Sequence, residues 1–227
     1  MRWIGRYVWM RCLFVLGAFG VLGVSPSGMP QTARASVLVK LSLSEMTARA
    51  EHVLVGRVEK VTSQFVTGQD GMIWTEVYIR CARSIRGVRE GEVLKVRHLG
   101  GTVGELGQKV FGEASYRMGE EVLILAEERE GTYFSIGMAQ GKFHVDRSNG
   151  TPLVQVDLAG AEILSPTGTP ATGQVPTAQG VPLEVVIAQL QDLVKRIPSP
   201  SERRKQNLRQ NLQPGTQPSS KKEEKLP

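Results

Sequence analysis

From Met72 to Ile85 apolar and polar residues exchange at nearly every step. Thr75, Val77, Ile79 and Cys81 fall on one side of an extended chain, and Trp74, Tyr78 and Arg80 on the other. That period of two predicts a strand with one buried face. The same reading gives a long strand over His52–Phe65, rich in β-branched residues and bent near Gly56. A third strand covers Glu92–Leu99, with Leu94 and Val96 inward and Val93, Lys95 and Arg97 outward. Glu121–Ala126 is continuously apolar through Val122-Leu123-Ile124-Leu125, which suits a strand buried on both faces. Tyr133–Met138 follows a Glu130-Gly131 turn, and Lys142–Val145 and Leu153–Val156 flank Asn149-Gly150, a hairpin signal. The period changes to helical in two places. Residues 41–51 place Leu43, Met46 and Ala50 on one face behind a Ser42/Glu45 capping box. Residues 183–197 repeat Leu183, Val186, Ile187, Leu190, Val194 and Ile197 at helical spacing and stop before Pro198 and Pro200. Short strands without βαβ alternation predict a mainly β fold: a small antiparallel OB-like barrel or sandwich, with a short N-terminal helix and a C-terminal amphipathic helix.

The flanking segments follow other rules. Arg2, Arg6 and Arg11 precede an apolar run from Cys12 to Val24, then helix breakers and Ala33-Arg34-Ala35. Residues 1–35 therefore read as a cleavable signal peptide, with the mature chain starting at Ser36. The apolar run is shorter than the roughly 20 residues of a membrane-spanning helix, and no transmembrane segment is expected in the mature chain. The expected organisation is a β-barrel-like domain at 36–160, a Pro/Thr/Gly linker at 161–182, the amphipathic helix at 183–197 and a disordered tail at 198–227. Charge follows this division. The whole chain carries +6, but the basic excess sits in the leader and the tail, and residues 36–197 are slightly acidic. A globally basic nucleic-acid-binding domain is disfavoured. Cys81 is the one cysteine past the leader, so no intrachain disulfide is expected there, and its place in an alternating strand reads as core.

The chain carries little that reads as chemistry. His52, His98 and His144 lie far apart, and no metal-ligand spacing or catalytic motif joins them. Ser135 lacks the leading glycine of a nucleophile elbow, and the Gly141-Lys142 pair is followed by Phe143 rather than the Ser/Thr of a phosphate loop. No catalytic residue, metal or cofactor is assigned. Acid pairs Glu120-Glu121 and Glu127-Glu128 adjoin turns and read as solvated. The glycines at 100, 101, 104 and 107 do not open a helix; they read as a corner needing positive φ or close backbone approach, with a ligand-contacting loop as the alternative. The sharper constellation is the outer face of the second and third strands. There Trp74, Tyr78, Arg80, Lys95 and Arg97 come together, a mixture of rings and cations suited to a binding face. The alternative is that helix 183–197 covers Trp74 and Tyr78, making them part of a second core.

The runs AEHVLVGRVEKV, WTEVYIRCARSIRG, EVLKVRHLGGTVGELGQKVFGE, YRMGEEVLILAE and YFSIGMAQGKFHV, spanning roughly residues 41–157, resemble a group of uncharacterised secreted bacterial proteins. The strand order is also similar to the OB-type barrel of netrin and TIMP-like domains. TIMP-like inhibitors present an N-terminal cysteine to a protease zinc, which a chain starting at Ser36 does not have. The leader at 1–35 implies export, to the periplasm or outside the cell. The expected function is a non-enzymatic binding or interaction module for an unknown protein or a polyanionic or glycan partner. The alternatives are an inhibitor or accessory partner of a secreted protease, and a hydrolase or metal enzyme with a dispersed site.

Overall fold

The computed structural model describes residues 37–68, 71–158, 160–165, 167 and 180–211. The expected signal peptide, the middle of the expected linker and residues 212–227 lie outside the described residues. In chain order the elements are β1 (Val37–Val39), α1 (Leu43–Arg49), β2 (His52–Phe65), β3 (Ile73–Arg86), β4 (Val93–Leu99), β5 (Gly101–Val103), β6 (Leu106–Gln108), β7 (Glu121–Arg129) and β8 (Thr132–Ser135). A 3-10 turn at Met138–Gly141 leads into β9 (Lys142–Asp146), β10 (Leu153–Gln155), β11 (Glu162–Leu164), β12 (Val181–Pro182), α2 (Leu183–Arg196) and α3 (Pro200–Asn211).

The fold is mainly β, and its main sheet curls into a barrel-like ring. β2 pairs antiparallel with β3 and β7, β3 pairs antiparallel with β4, and β8 bridges β4 to β7. The β4–β8 contact is parallel and rests on Val96 opposite Tyr133 alone, so the ring is partly open there. β2 changes register at three places, the middle one at Val55/Gly56. A Cβ on Gly56 would come within 2.5 Å of the Arg80 carbonyl oxygen. The missing side chain is what lets β2 bend against β3.

β7 explains its own unbroken apolar run. Val122, Ile124 and Ala126 face the ring interior with Leu54, Val58, Val77, Ile79, Leu94 and Val96. Leu123 and Leu125 face the opposite way, with Val53 and Val55, into a second core formed with Phe143, Val145 and Val154. That core is possible because β8 and β9 share one edge of β7: β8 along Ala126–Arg129, β9 along Val122–Ile124. β9 leaves the ring and carries β10 and β12 with it. α1 closes the second core with Met46 and Ala50, and α2 with Leu183, Val186, Ile187 and Leu190. Each fully buried aliphatic side chain contributes about 1.5–3 kcal/mol, so α2 is an integral layer of the domain. The expected capping box starts α1: Ser42 Oγ accepts from the Glu45 amide at 3.2 Å, and the Glu45 carboxylate accepts from the Ser42 amide at 2.7 Å.

Arg86, the last residue of β3, fastens the helix ends. Its guanidinium donates to the carbonyls of Thr47 (2.8 Å) and Ala50 (3.2 Å) at the end of α1, and to those of Val194 (3.3 Å) and Ile197 after α2. A cation placed among the carbonyls at two helix C-termini supplies donors there and complements both dipoles.

Several expectations are corrected. The segment 198–211 is not a disordered tail: α3 occupies Pro200–Asn211. Ser199 caps it, accepting from the Glu202 amide while donating its own amide to the Glu202 carboxylate, and Pro200 takes the first helical position. The linker's two ends are strands. β11 pairs in parallel with β1, and β12 pairs with β10. The glycine-rich loop contains the β5–β6 hairpin. The strand expected to reach Met138 stops at Ser135, because Gly137 (φ 61°) and Met138 (φ 62°) are left-handed. Lastly, α2 lies on the second core and not over Trp74 and Tyr78.

Candidate functional site

Two surfaces on the ring could hold a partner: its outer face over β3, β4 and β8, and its mouth beneath the β5–β6 hairpin. On the outer face the register places Tyr78 opposite Lys95, Glu76 opposite Arg97, and Arg80 opposite Val93. Trp74, Tyr78 and Arg97 are half-buried, while Arg80 and Lys95 are exposed. The rings and cations meet across five strands, β2, β3, β4, β7 and β8. Arg129 stands over the Phe134 ring at 5.5 Å, Phe134 meets Trp74 at 5.8 Å, Arg97 stands over Trp74 at 5.8 Å, and Lys60 over Tyr78 at 5.3 Å. The five residues expected from sequence therefore share a face, joined by Lys60, Arg129 and Phe134, which alternation alone could not assign.

Glu76 sits in the middle of that face and changes its electrostatics. Its carboxylate accepts from Arg97 (2.7 Å), Lys95 (3.2 Å) and the Tyr78 hydroxyl (3.1 Å). The Arg97 hydrogen bond, aided by Lys95 and Tyr78, holds its carboxyl at about 2. Arg80 is paired with Glu59 and donates to the Gly91 carbonyl at 2.7 Å. All three expected cations are thus already partnered, and the face is a satisfied polar and aromatic surface rather than a bare positive one.

At the mouth of the ring lies a cavity of about 680 Å³, within the roughly 300–1,000 Å³ of ligand pockets. The glycines build it. Gly100 (φ 87°) and Gly101 (φ 133°) turn the chain off β4, and a Cβ on Gly100 would come within 2.6 Å of the Gln108 carbonyl oxygen. Gly101 presses its backbone onto the Ser63 and Thr75 hydroxyls, which lie 2.8 Å apart, and Thr75 donates to the Gly100 carbonyl at 2.6 Å. Gln108 accepts from the Ile73 amide at 2.7 Å and pins the hairpin back to β3. Gly101 and Gly107 line the cavity, while Gly104 at the hairpin tip (φ 61°) does not. The close-approach reading of these glycines thus holds at Gly100 and Gly101.

The far wall comes from residues 109–116, with Glu113 and Tyr116, and His98 joins them from β4. Burial pushes the Glu113 carboxyl up to about 7, against the opposing pull of the Ala114 amide and Arg129. Burial lowers the His98 imidazole. Its Nδ1 lies 3.0 Å from the Leu99 carbonyl, an acceptor, so Nδ1 carries the proton and Nε2 the lone pair. The Tyr116 ring lies 5.6 Å from that imidazole, and burial drives its phenol well above the ordinary range.

Below this wall Lys142 and Glu120, with side chains 6% and 9% exposed, form an ion pair, and His144 Nδ1 approaches the same carboxylate at 3.0 Å. Lys142 also stands 5.4 Å over the Tyr116 ring. The acids expected to be solvated are mostly engaged: Glu120 here, Glu127 with Arg49 and Arg129, and Glu121 with Arg147. His52 accepts from the Val88 amide at 3.0 Å and packs edge-on against Tyr133. The three histidines stay apart. Among the described residues no group of three or more His, Cys, Asp or Glu is placed to hold a metal ion, and no helix is long and apolar enough to cross a membrane. Cys81 is buried, and that burial raises its thiol.

No family model, curated protein or solved structure matches this chain.

Proposed function

We propose that this is an exported, non-enzymatic binding module whose outer β3–β4–β8 face contacts a protein partner. The observation that carries the reading is the aromatic–cation ladder through Phe134, Trp74, Arg97 and Tyr78, half-buried on a sheet face that neither α1 nor α2 covers. Trp, Tyr and Arg are the residues that dominate protein–protein binding energy. Glu76 favours a protein over a polyanion, since it already holds Arg97 and Lys95. Export rests on the leader pattern of residues 1–35.

The test is affinity capture from the native envelope and culture medium, using the protein expressed from its full chain, beside Trp74→Ala and Arg97→Ala versions. The expected outcome is a discrete protein retained by the parent and weakened at least about tenfold, 1.4 kcal/mol, by either substitution while the chain stays folded. Binding that survives both substitutions, or no retained protein with a folded bait, would overturn the reading.

A further inference from the structure

We infer that the cavity at the mouth of the ring is a second binding site, for an uncharged small molecule rich in hydroxyl or amide groups. It is separate from the outer face and does not depend on that face having a partner.

The cavity is built before any ligand arrives. The hairpin roof is fixed by the Gly101 contact with Ser63 and Thr75 and by the Gln108 bond to Ile73. A preformed pocket avoids the cost of ordering its walls on binding. Its polar groups are mixed donors and acceptors. Thr75 bonds Ser63 and the Gly100 carbonyl, and the rest of the polar lining includes the His98 Nε2 lone pair, the Glu113 carboxyl and the Thr102 and Ser115 hydroxyls, beside Lys109 and Asp157. A protonated carboxyl both donates and accepts, as hydroxyls do, and an imidazole held on its Nδ1 tautomer accepts. Apolar walls at Val61, Leu99 and Val110 suit the carbon faces of a sugar or a similar polyol.

Charge argues against the other ligand classes. The other ionisable groups on the lining are His98 from β4, Lys109 and Tyr116 from the same loop as Glu113, and Asp157 after β10, while Arg129 of β7 acts on Glu113 from outside it. Lys109 stands 5.3 Å over the Phe111 ring. A cationic ligand would meet a carboxyl that burial keeps protonated up to about pH 7. Lys109 and Asp157, one basic and one acidic, both line the cavity, so a charged ligand of either sign meets a group of its own sign there.

The experiment is an NMR titration of the protein expressed from its full chain. The neutral probes are glucose, N-acetylglucosamine and cellobiose, set against glucosamine as a cation and glucuronate as an anion. At about pH 5.5 a neutral probe should bind saturably, with a dissociation constant on the order of 1 mM or tighter, and tighter than either charged probe. Shifts should centre on the amides of Thr102, Gln108 and Ser115. By about pH 8.5 wild-type affinity should fall about tenfold while Glu113→Gln holds its affinity, because the amide still donates when the carboxylate no longer can. Thr102→Trp and Val110→Trp, which fill the cavity from roof and wall, should each weaken binding at least about tenfold. The inference is overturned if no neutral probe binds saturably, if a charged probe binds as tightly, or if the shifts centre on Trp74 and Arg97. The shift map needs no variant, so it decides the matter even where a filling substitution unfolds the chain.

Discussion

Glu113 is a carboxyl held in its neutral form by burial, and this has a consequence for stability. Its folded value of about 7 stands above the ordinary 4.5, so the unfolded chain releases the proton first as pH rises. Folding stability should therefore be unaffected by this group below about pH 4.5, fall between about 4.5 and 7, and stay at the reduced level above that, by up to about 3 kcal/mol. Glu113→Gln should remove that decline, read as the thermal midpoint across pH. Glu76 works in the opposite sense. Its carboxyl is held at about 2, so its contribution is present above about 4.5 and is lost as pH falls toward 2. Glu76→Gln should cost on the order of 1 kcal/mol near neutrality, after allowance for solvent screening, and little in strong acid. Gly101 belongs to this scale too. Gly101→Ala must place a methyl group on the Ser63–Thr75 hydroxyl pair at φ 133°, and should cost about 2–3 kcal/mol and loosen hydrogen exchange in the hairpin first. The sequence pointed to the glycines but not to Glu113, since an isolated Glu in Phe-Gly-Glu-Ala looks like any surface acid until the chain folds over it.

At the scale of elements, strictly periodic segments were legible and short pairings were not. β2 and α1 were readable because both carry long or capped patterns, and β3 alternates through Ile73, Thr75, Val77, Ile79 and Cys81. β11, β12 and the β5–β6 hairpin were missed because two- or three-residue strands have no period to detect, and they exist only through their partners. α3 was missed for another reason. Its composition is polar throughout, but Ser199-Pro200-Ser201-Glu202 is a capping box with proline at the first helical position, a signal present in the sequence. Ser199→Ala should cost about 1 kcal/mol of local stability, seen as faster amide exchange along α3 with the ring unaffected. α3 is also tied to the domain by Arg203, which donates to the Ala48 carbonyl at 2.6 Å, and by Arg204, which reaches Glu51 at 3.1 Å.

For the whole molecule, the fold class and the outer face were visible in the sequence, whereas the second core was only half visible. The apolar run Val122–Leu125 announced burial on both sides, but nothing local says that β9 parts from β8 along the same edge. The face left open is the one that carries Trp74 and Phe134, because both helices are committed to the opposite side. Arg86 is the residue that commits them. Arg86→Met should take the guanidinium donors from four helix-end carbonyls and destabilise the whole domain by about 3 kcal/mol or more, with a single cooperative transition at a lower thermal midpoint. A two-step transition, with α2 melting alone, would show that the helix is an appendage after all.

The same fastening sets a schedule for folding. β3 ends at Arg86, yet two of the carbonyls that Arg86 holds, and the four side chains of α2 that fill the second core, arrive about a hundred residues later in synthesis. A nascent chain that has reached β10 already contains every strand of the ring, but the core around Val53, Val55, Leu123 and Leu125 still lacks Leu183, Val186, Ile187 and Leu190. Completion must therefore wait for the C-terminal helices, and any premature stop before Leu183 leaves a ring with a greasy flank, which would be cleared by proteolysis or lost to aggregation rather than persist as a smaller working domain.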